Sequence, residues 1–88
     1  MSQTMDLLIG PLIERDGSFG YDTFNSAEGL RPSFRYRRIE QARYDRRAMI
    51  VESRRNSRFT VQVCDTLGEF RERVDAVERG AAAGSGAK

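Results

Sequence analysis

The sequence contains no histidine and no tryptophan, and it has one cysteine (Cys64), one lysine (Lys88) and two prolines. Each scarcity closes a class of function. Without histidine there is no Ser-His-Asp or Cys-His arrangement, and the commonest general base is missing. With no histidine and a single thiol, a zinc site is effectively excluded. One cysteine permits no intramolecular disulfide and fits a reducing compartment. The opening Met1-Ser2-Gln3-Thr4-Met5-Asp6 lacks the basic n-region and apolar core of a signal peptide, so a cytoplasmic location is expected. Apolar runs such as Leu7-Leu8-Ile9 and Ala48-Met49-Ile50-Val51 are far too short to cross a bilayer. No nucleotide-binding loop is present. Gly17 and Gly20 near Ser18 read more simply as turn glycines than as a phosphate cradle.

What is present is arginine. Residues 31–58 hold ten of them against Glu40, Asp45 and Glu52, a net +7, with Phe34, Tyr36 and Tyr44 interleaved. Residues 1–30 carry a net −4 and residues 59–88 a net −1. The overall +2 therefore hides a strong internal polarity. Such a block marks a surface held toward an anionic partner, or toward acidic parts of the same chain. The fourteen-to-one excess of arginine over lysine is also what a GC-rich genome would produce.

Eighty-eight residues make one domain. Apolar residues are 39% and charged residues 32%, so the core must be small. Domains of this size often gain stability by pairing, which leaves a homodimer open.

Taken in order, Met5 to Arg15 is apolar and extended, broken at Gly10-Pro11 because proline cannot donate to a ladder. Asp16-Gly17 is a hairpin turn signal. Ser18 to Phe24 alternates, with Phe19, Tyr21 and Thr23 on one face, so a hairpin over about residues 6–24 is expected. Asn25 to Pro32 reads as a loop. Phe34 to Arg38 reads as a short strand, and its alternation would put both aromatics on one face and Arg35 and Arg37 on the other. For Ile39 to Ser53 two readings compete. A helix would gather Ile39, Ala42, Met49 and Ile50 in one arc, blurred by Arg43 and Arg46, with Tyr44, Ala48 and Val51 on another side. A strand over Arg47 to Ser53 suits the β-branched run. We favour the helix, because no glycine, proline or turn pair divides the segment.

Arg58 to Cys64 is a strand with Phe59, Val61 and Val63 alternating. Thr66-Leu67-Gly68-Glu69 fits a capping box, and Leu67, Phe70, Val74 and Val77 recur at helical spacing up to a stop at Gly80. The expected fold is α+β. It comprises three to four mostly antiparallel strands packed by the C-terminal amphipathic helix, with a second helix in the arginine-rich middle. The C-terminal helix is expected on the face bearing Phe59, Val61 and Val63. Residues 1–80 form the single domain and 81–88 a disordered Gly/Ala tail.

Carboxylates Glu14, Asp16 and Asp22 near the first turn are the remaining enzymatic option. Charges at turns and edges more often protect an exposed strand. Cys64 has no base beside it in sequence, and Asp65 would disfavour its thiolate. No enzyme activity, cofactor or metal is expected. The reading favoured is a small adaptor, inhibitor or regulator, of a size that suits phages and mobile elements, docking on an acidic surface of a larger protein. Arg35, Tyr36, Arg37, Arg38, Arg43, Arg46, Arg47, Arg54 and Arg55 are its expected contact residues. The alternative is a nucleic-acid-binding module using the same segment, with phosphates on arginine and bases on Phe34, Tyr36 or Tyr44. A third reading balances the arginines against the acidic flanks inside the fold.

Overall fold

The computed structural model describes residues 4–86, with side chains through residue 80. Five strands and two helices follow in the order β1 (Met5–Ile9), β2 (Ile13–Arg15), β3 (Ser18–Asn25), β4 (Gly29–Tyr36), α1 (Ile39–Arg55), β5 (Phe59–Val63) and α2 (Leu67–Gly86). The fold is α+β around one mixed sheet, with one strand more than expected. β1 and β2 form two parts of one edge of β3, separated at Gly10-Pro11-Leu12, and β4 pairs along the other edge of β3. β5 joins β1 in parallel, with Leu7 opposite Val61 and Ile9 opposite Val63. The chain therefore leaves one edge at β4 and returns to the other edge at β5, and α1 makes the crossing.

Local chemistry explains the turns. Asp16 and Gly17 both take positive φ (54° and 82°), the tight hairpin that joins β2 to β3. Asn25 Oδ1 accepts from the amides of Ala27 and Glu28 at 2.8 and 2.7 Å, and Gly29 takes φ 78°, which turns β3 into β4. Leu30, Arg31 and Pro32, expected in a loop, lie instead in β4. Pairing on one side only tolerates a proline and a polar sequence there.

The helix favoured over residues 39–53 is α1, two residues longer than expected. Thr66 caps α2: its Oγ1 accepts from the Glu69 amide at 3.0 Å, while Glu69 Oε1 accepts from the Asp65 amide at 3.0 Å. That bond, and Arg73 after it, hold the Glu69 carboxyl below the usual range. The stop at Gly80 does not occur: α2 continues to Gly86, through an alanine run of high helix propensity. Of the expected tail, residues 87–88 lie outside the described residues.

Both faces of the sheet are covered. On one, Leu7, Ile9 and Tyr21 pack with Met49 and Ile50 of α1 and with Phe59 and Val61. On the other, Leu8, Phe24 and Cys64 pack with Phe70, Val74 and Val77 of α2. The face expected for α2 is thus taken by α1. Phe59 and Val61 share parity with Leu7 and Ile9, and the β4-to-β5 crossing lays α1 over them. Complete burial of Leu8 and Ile9 contributes on the order of 1.5–3 kcal/mol each. Among the described residues, no helix is long and apolar enough to cross a membrane.

Candidate functional site

The arginine block is divided by the fold into three groups with different surroundings. The first sits at the end of β4. Between Phe34 (opposite Gly20) and Tyr36 (opposite Phe19) the register shifts by one residue, a bulge at Arg35. Phe34 consequently faces the α2 side, where the Arg15 guanidinium lies 4.1 Å from its ring centre. Tyr36 faces α1, where it borders a cleft with Glu40, Gln41, Tyr44 and Asp45. The expectation of two aromatics on one strand face is corrected: the extra residue reverses the alternation. Arg35 is exposed and folds onto its own neighbour, its Nε and Nη2 donating to the Tyr36 hydroxyl at 3.2 and 3.1 Å. Arg37 and Arg38 are exposed in the bend before α1. The Arg38 carbonyl starts the helix by accepting from the Gln41 and Ala42 amides.

Arg46 forms the second group by itself. It lies on the inward face of α1, and its Nε donates to the Gly10 carbonyl at 2.8 Å and its Nη2 to the Cys64 carbonyl at 3.3 Å. Those carbonyls lie just past the ends of β1 and β5. Expected as a contact residue, Arg46 is half-buried, with Nε and Nη2 both bonded to backbone carbonyls inside the fold.

The third group lies along an exposed flank of α1. Arg43, Arg47 and Arg54 fall within an arc of about 40° at the helical pitch, and all three are exposed. Arg55 lies farther round, beyond Tyr44 and Val51, whose exposures of 77% and 44% are unusual for side chains of their size. Val51 was not among the expected contact residues, and Tyr44 was expected only to stack on bases in the nucleic-acid alternative; their grouping with Ala48 on the helical wheel was the available signal. Among the described residues the ion pairs are Arg15–Asp22, Arg31–Glu28 and Arg73–Glu69. Among the described residues Arg31 alone of the ten block arginines is paired, and with a near neighbour. Because α2 covers the opposite face, its acids do not balance the arginines of α1.

A groove of about 450 Å³ separates β4 from α1, with Arg31 and Arg35 on the strand rim and Asp45 and Glu52 on the helix rim. At its floor Tyr21 donates to Asp45 Oδ2 at 2.5 Å. That bond first, with the Tyr36 hydroxyl and the Arg35 charge nearby, holds the Asp45 carboxyl below the usual range against the opposing effect of burial. Burial first, and Asp45 second, push the Tyr21 phenol well above its ordinary value.

The carboxylates near the first turn do not converge. Glu14 stands opposite Phe19 in the register, on the α1 side, whereas Asp22 alternates to the α2 side. There Asp22 Oδ2 accepts from Arg15 at 3.3 Å. Cys64 is fully buried, and burial chiefly, then the Glu69 charge, pushes its thiol above the ordinary value. The chain matches no family model, no curated protein and no solved structure.

Proposed function

We propose that this protein is a small non-enzymatic interaction module, an adaptor, inhibitor or regulator, that docks on an acidic surface of a larger protein through the outer face of α1. One observation carries the reading: Arg43, Arg47 and Arg54 stand in an exposed row without acidic partners among the described residues, beside the exposed apolar residues Tyr44 and Val51. Unpaired guanidinium groups next to desolvatable apolar area are the composition of interface hot spots, where arginine's planar fork forms bidentate pairs with carboxylates. Arg37, Arg38 and Arg55 extend the positive field around that row and would speed encounter with an acidic partner.

Nucleic-acid binding through the same segment is the competing reading. It has less support, because the bulge at Arg35 parts Phe34 from Tyr36 and no pair of aromatics shares a face of β4.

A pull-down from native lysate, with and without nuclease, separates the two. Docking on protein predicts a partner that survives nuclease and is lost when Arg43, Arg47 and Arg54 are all changed to glutamate. Arg46 stays unchanged in that variant, since its loss would act through stability. A capture abolished by nuclease would transfer the function to nucleic acid.

A further inference from the structure

We propose that the partner contributes a single α-helix, apolar along its seam and acidic along one flank, which lies along α1. This rests on the docking reading above and specifies its partner. Gln41, Tyr44, Ala48, Val51 and Arg55 follow one another at spacings of three, four, three and four residues. That is the alternation by which one helix seats another. The three central members are apolar, Tyr44 and Val51 are exposed, and Ala48 is half-buried between them. Tyr44, Arg47, Ala48 and Val51 stand at i, i+3, i+4 and i+7, the four corners of a hole that accepts one side chain from a facing helix. With alanine at one corner the hole is wide, so an apolar side chain of leucine size suits it.

Charge selects the flank. On one side of the seam lie Arg43, Arg47 and Arg54, exposed and without an acidic partner among the described residues. On the other lie Asp45, held by Tyr21, and Glu52. A helix with glutamate or aspartate facing the arginine row therefore gains pairing that a neutral or basic helix does not. A second copy of this chain is a poorer occupant. Two antiparallel α1 helices would set the arginine rows against each other. Two parallel ones would bring Arg55 against Arg55 in the seam and Glu40 against Asp45, a repulsion that the Arg47–Glu52 pairing of the same arrangement only offsets. A phosphate backbone would use the arginines but has no use for an apolar hole.

The test uses the full chain and fluorescein-labelled peptides of about 21 residues, three heptads long. The first peptide has leucine at a and d, glutamate at g and glutamine at e, so that only one flank is acidic. The second keeps the leucines and glutamines and carries lysine at g. The third keeps the glutamates and has serine and glutamine along the seam. A DNA duplex is the fourth probe. Binding is read by anisotropy for the parent protein, for Tyr44→Ser with Val51→Ser, and for the triple variant Arg43→Glu, Arg47→Glu and Arg54→Glu. All changed residues are exposed, and circular dichroism verifies that each variant folds.

The proposal expects the first peptide alone to bind well, with a loss of about tenfold or more in either variant. Equal binding of the third peptide, or unchanged binding by the Tyr44/Val51 variant, would overturn the helix seam and leave arginine-driven docking standing. Failure of both acidic peptides alongside arginine-dependent binding of the duplex would sink the seam and the docking reading together. Silence from every probe also overturns the seam, and the pull-down then judges the docking reading separately.

Discussion

Arg46 donates from Nε to the carbonyl of Gly10 at 2.8 Å, so that one residue of α1 closes the end of strand β1. Its second donor reaches the Cys64 carbonyl beyond the parallel neighbour β5, and one guanidinium thereby ties both strand ends to the crossing helix. The arginine that blurred the apolar arc of the segment is thus part of the face that α1 turns toward the sheet. Sequence patterns count every arginine as surface, which hid this role.

Replacing Arg46 by alanine leaves two backbone carbonyls without their charged donor. Hydrogen bonds to charged groups contribute roughly 1.5–3 kcal/mol, so Arg46→Ala is expected to destabilise by about 2–3 kcal/mol. Arg47→Ala, on the exposed side of the same turn, should stay within about 0.5 kcal/mol. Urea unfolding followed by far-UV circular dichroism measures both, which suits a chain without tryptophan. Equal midpoints for the two variants would refute the clip.

The Tyr21–Asp45 bond predicts a two-limbed pH dependence. Because the folded Asp45 carboxyl is held low, its contribution to stability is full above the ordinary aspartate value of about 3.9. It is lost as pH falls through the lowered folded value. The Tyr21 phenol is raised in the fold, so its contribution is full below about 10 and is lost as pH climbs beyond that. Tyr21→Phe removes the largest cause of the Asp45 shift and should cost about 1 kcal/mol near neutrality. The gap between parent and variant should narrow at both extremes of pH. Unfolding free energies that stay parallel across the whole range would exclude the linkage.

Much of the fold was legible because local signals agreed with one another. The alternation from Phe59 to Val63 gave β5, the threonine and glutamate before Phe70 gave the start of α2, and an unbroken run from Ile39 gave α1. What stayed hidden depended on distant partners. The parity of each strand was readable, but which helix covers which face depends on the β4-to-β5 crossing. The bulge at Arg35 arises from pairing with Phe19 and Gly20, and nothing in Phe34-Arg35-Tyr36-Arg37 announces it. Pro32 concealed an edge strand. As for the candidate site, the net charge drew attention to the α1 segment, but it could not separate Arg46, which is turned inward, from Arg47, which is exposed.

The close approach at that bulge makes Gly20 the least replaceable glycine. A Cβ there would lie 1.9 Å from the Ser33 carbonyl oxygen and 2.7 Å from the Phe34 Cα, both backbone atoms that cannot turn aside. Gly20→Ala must therefore push β4 off β3, and a loss of about 3 kcal/mol or more is expected. Gly68, in the first turn of α2, offers the contrast, with nothing within 4 Å of an added Cβ. Gly68→Ala should stabilise by roughly 0.5–1 kcal/mol through reduced freedom of the unfolded chain. Thermal melts of the two variants check the opposite signs. A tolerated Gly20→Ala would mean that β4 does not approach β3 this closely.

Cys64 supplies a probe of the same core without any mutation. Its thiol is fully buried against Leu8, Phe24 and Phe70, and burial keeps it in the protonated, unreactive form. Alkylation by iodoacetamide should then proceed only through opening of the α2 layer, far more slowly than in denatured chain, and should accelerate with urea along the unfolding transition. Arg46→Ala frees the carbonyl of this residue and loosens the strand end on which it sits, so the variant should label faster than the parent at the same pH. Mass spectrometry of timed samples gives both rates. Labelling of the native parent at the rate of the unfolded chain would place the thiol at the surface and remove α2 from over β1, contrary to the packing of Phe70, Val74 and Val77 on that face.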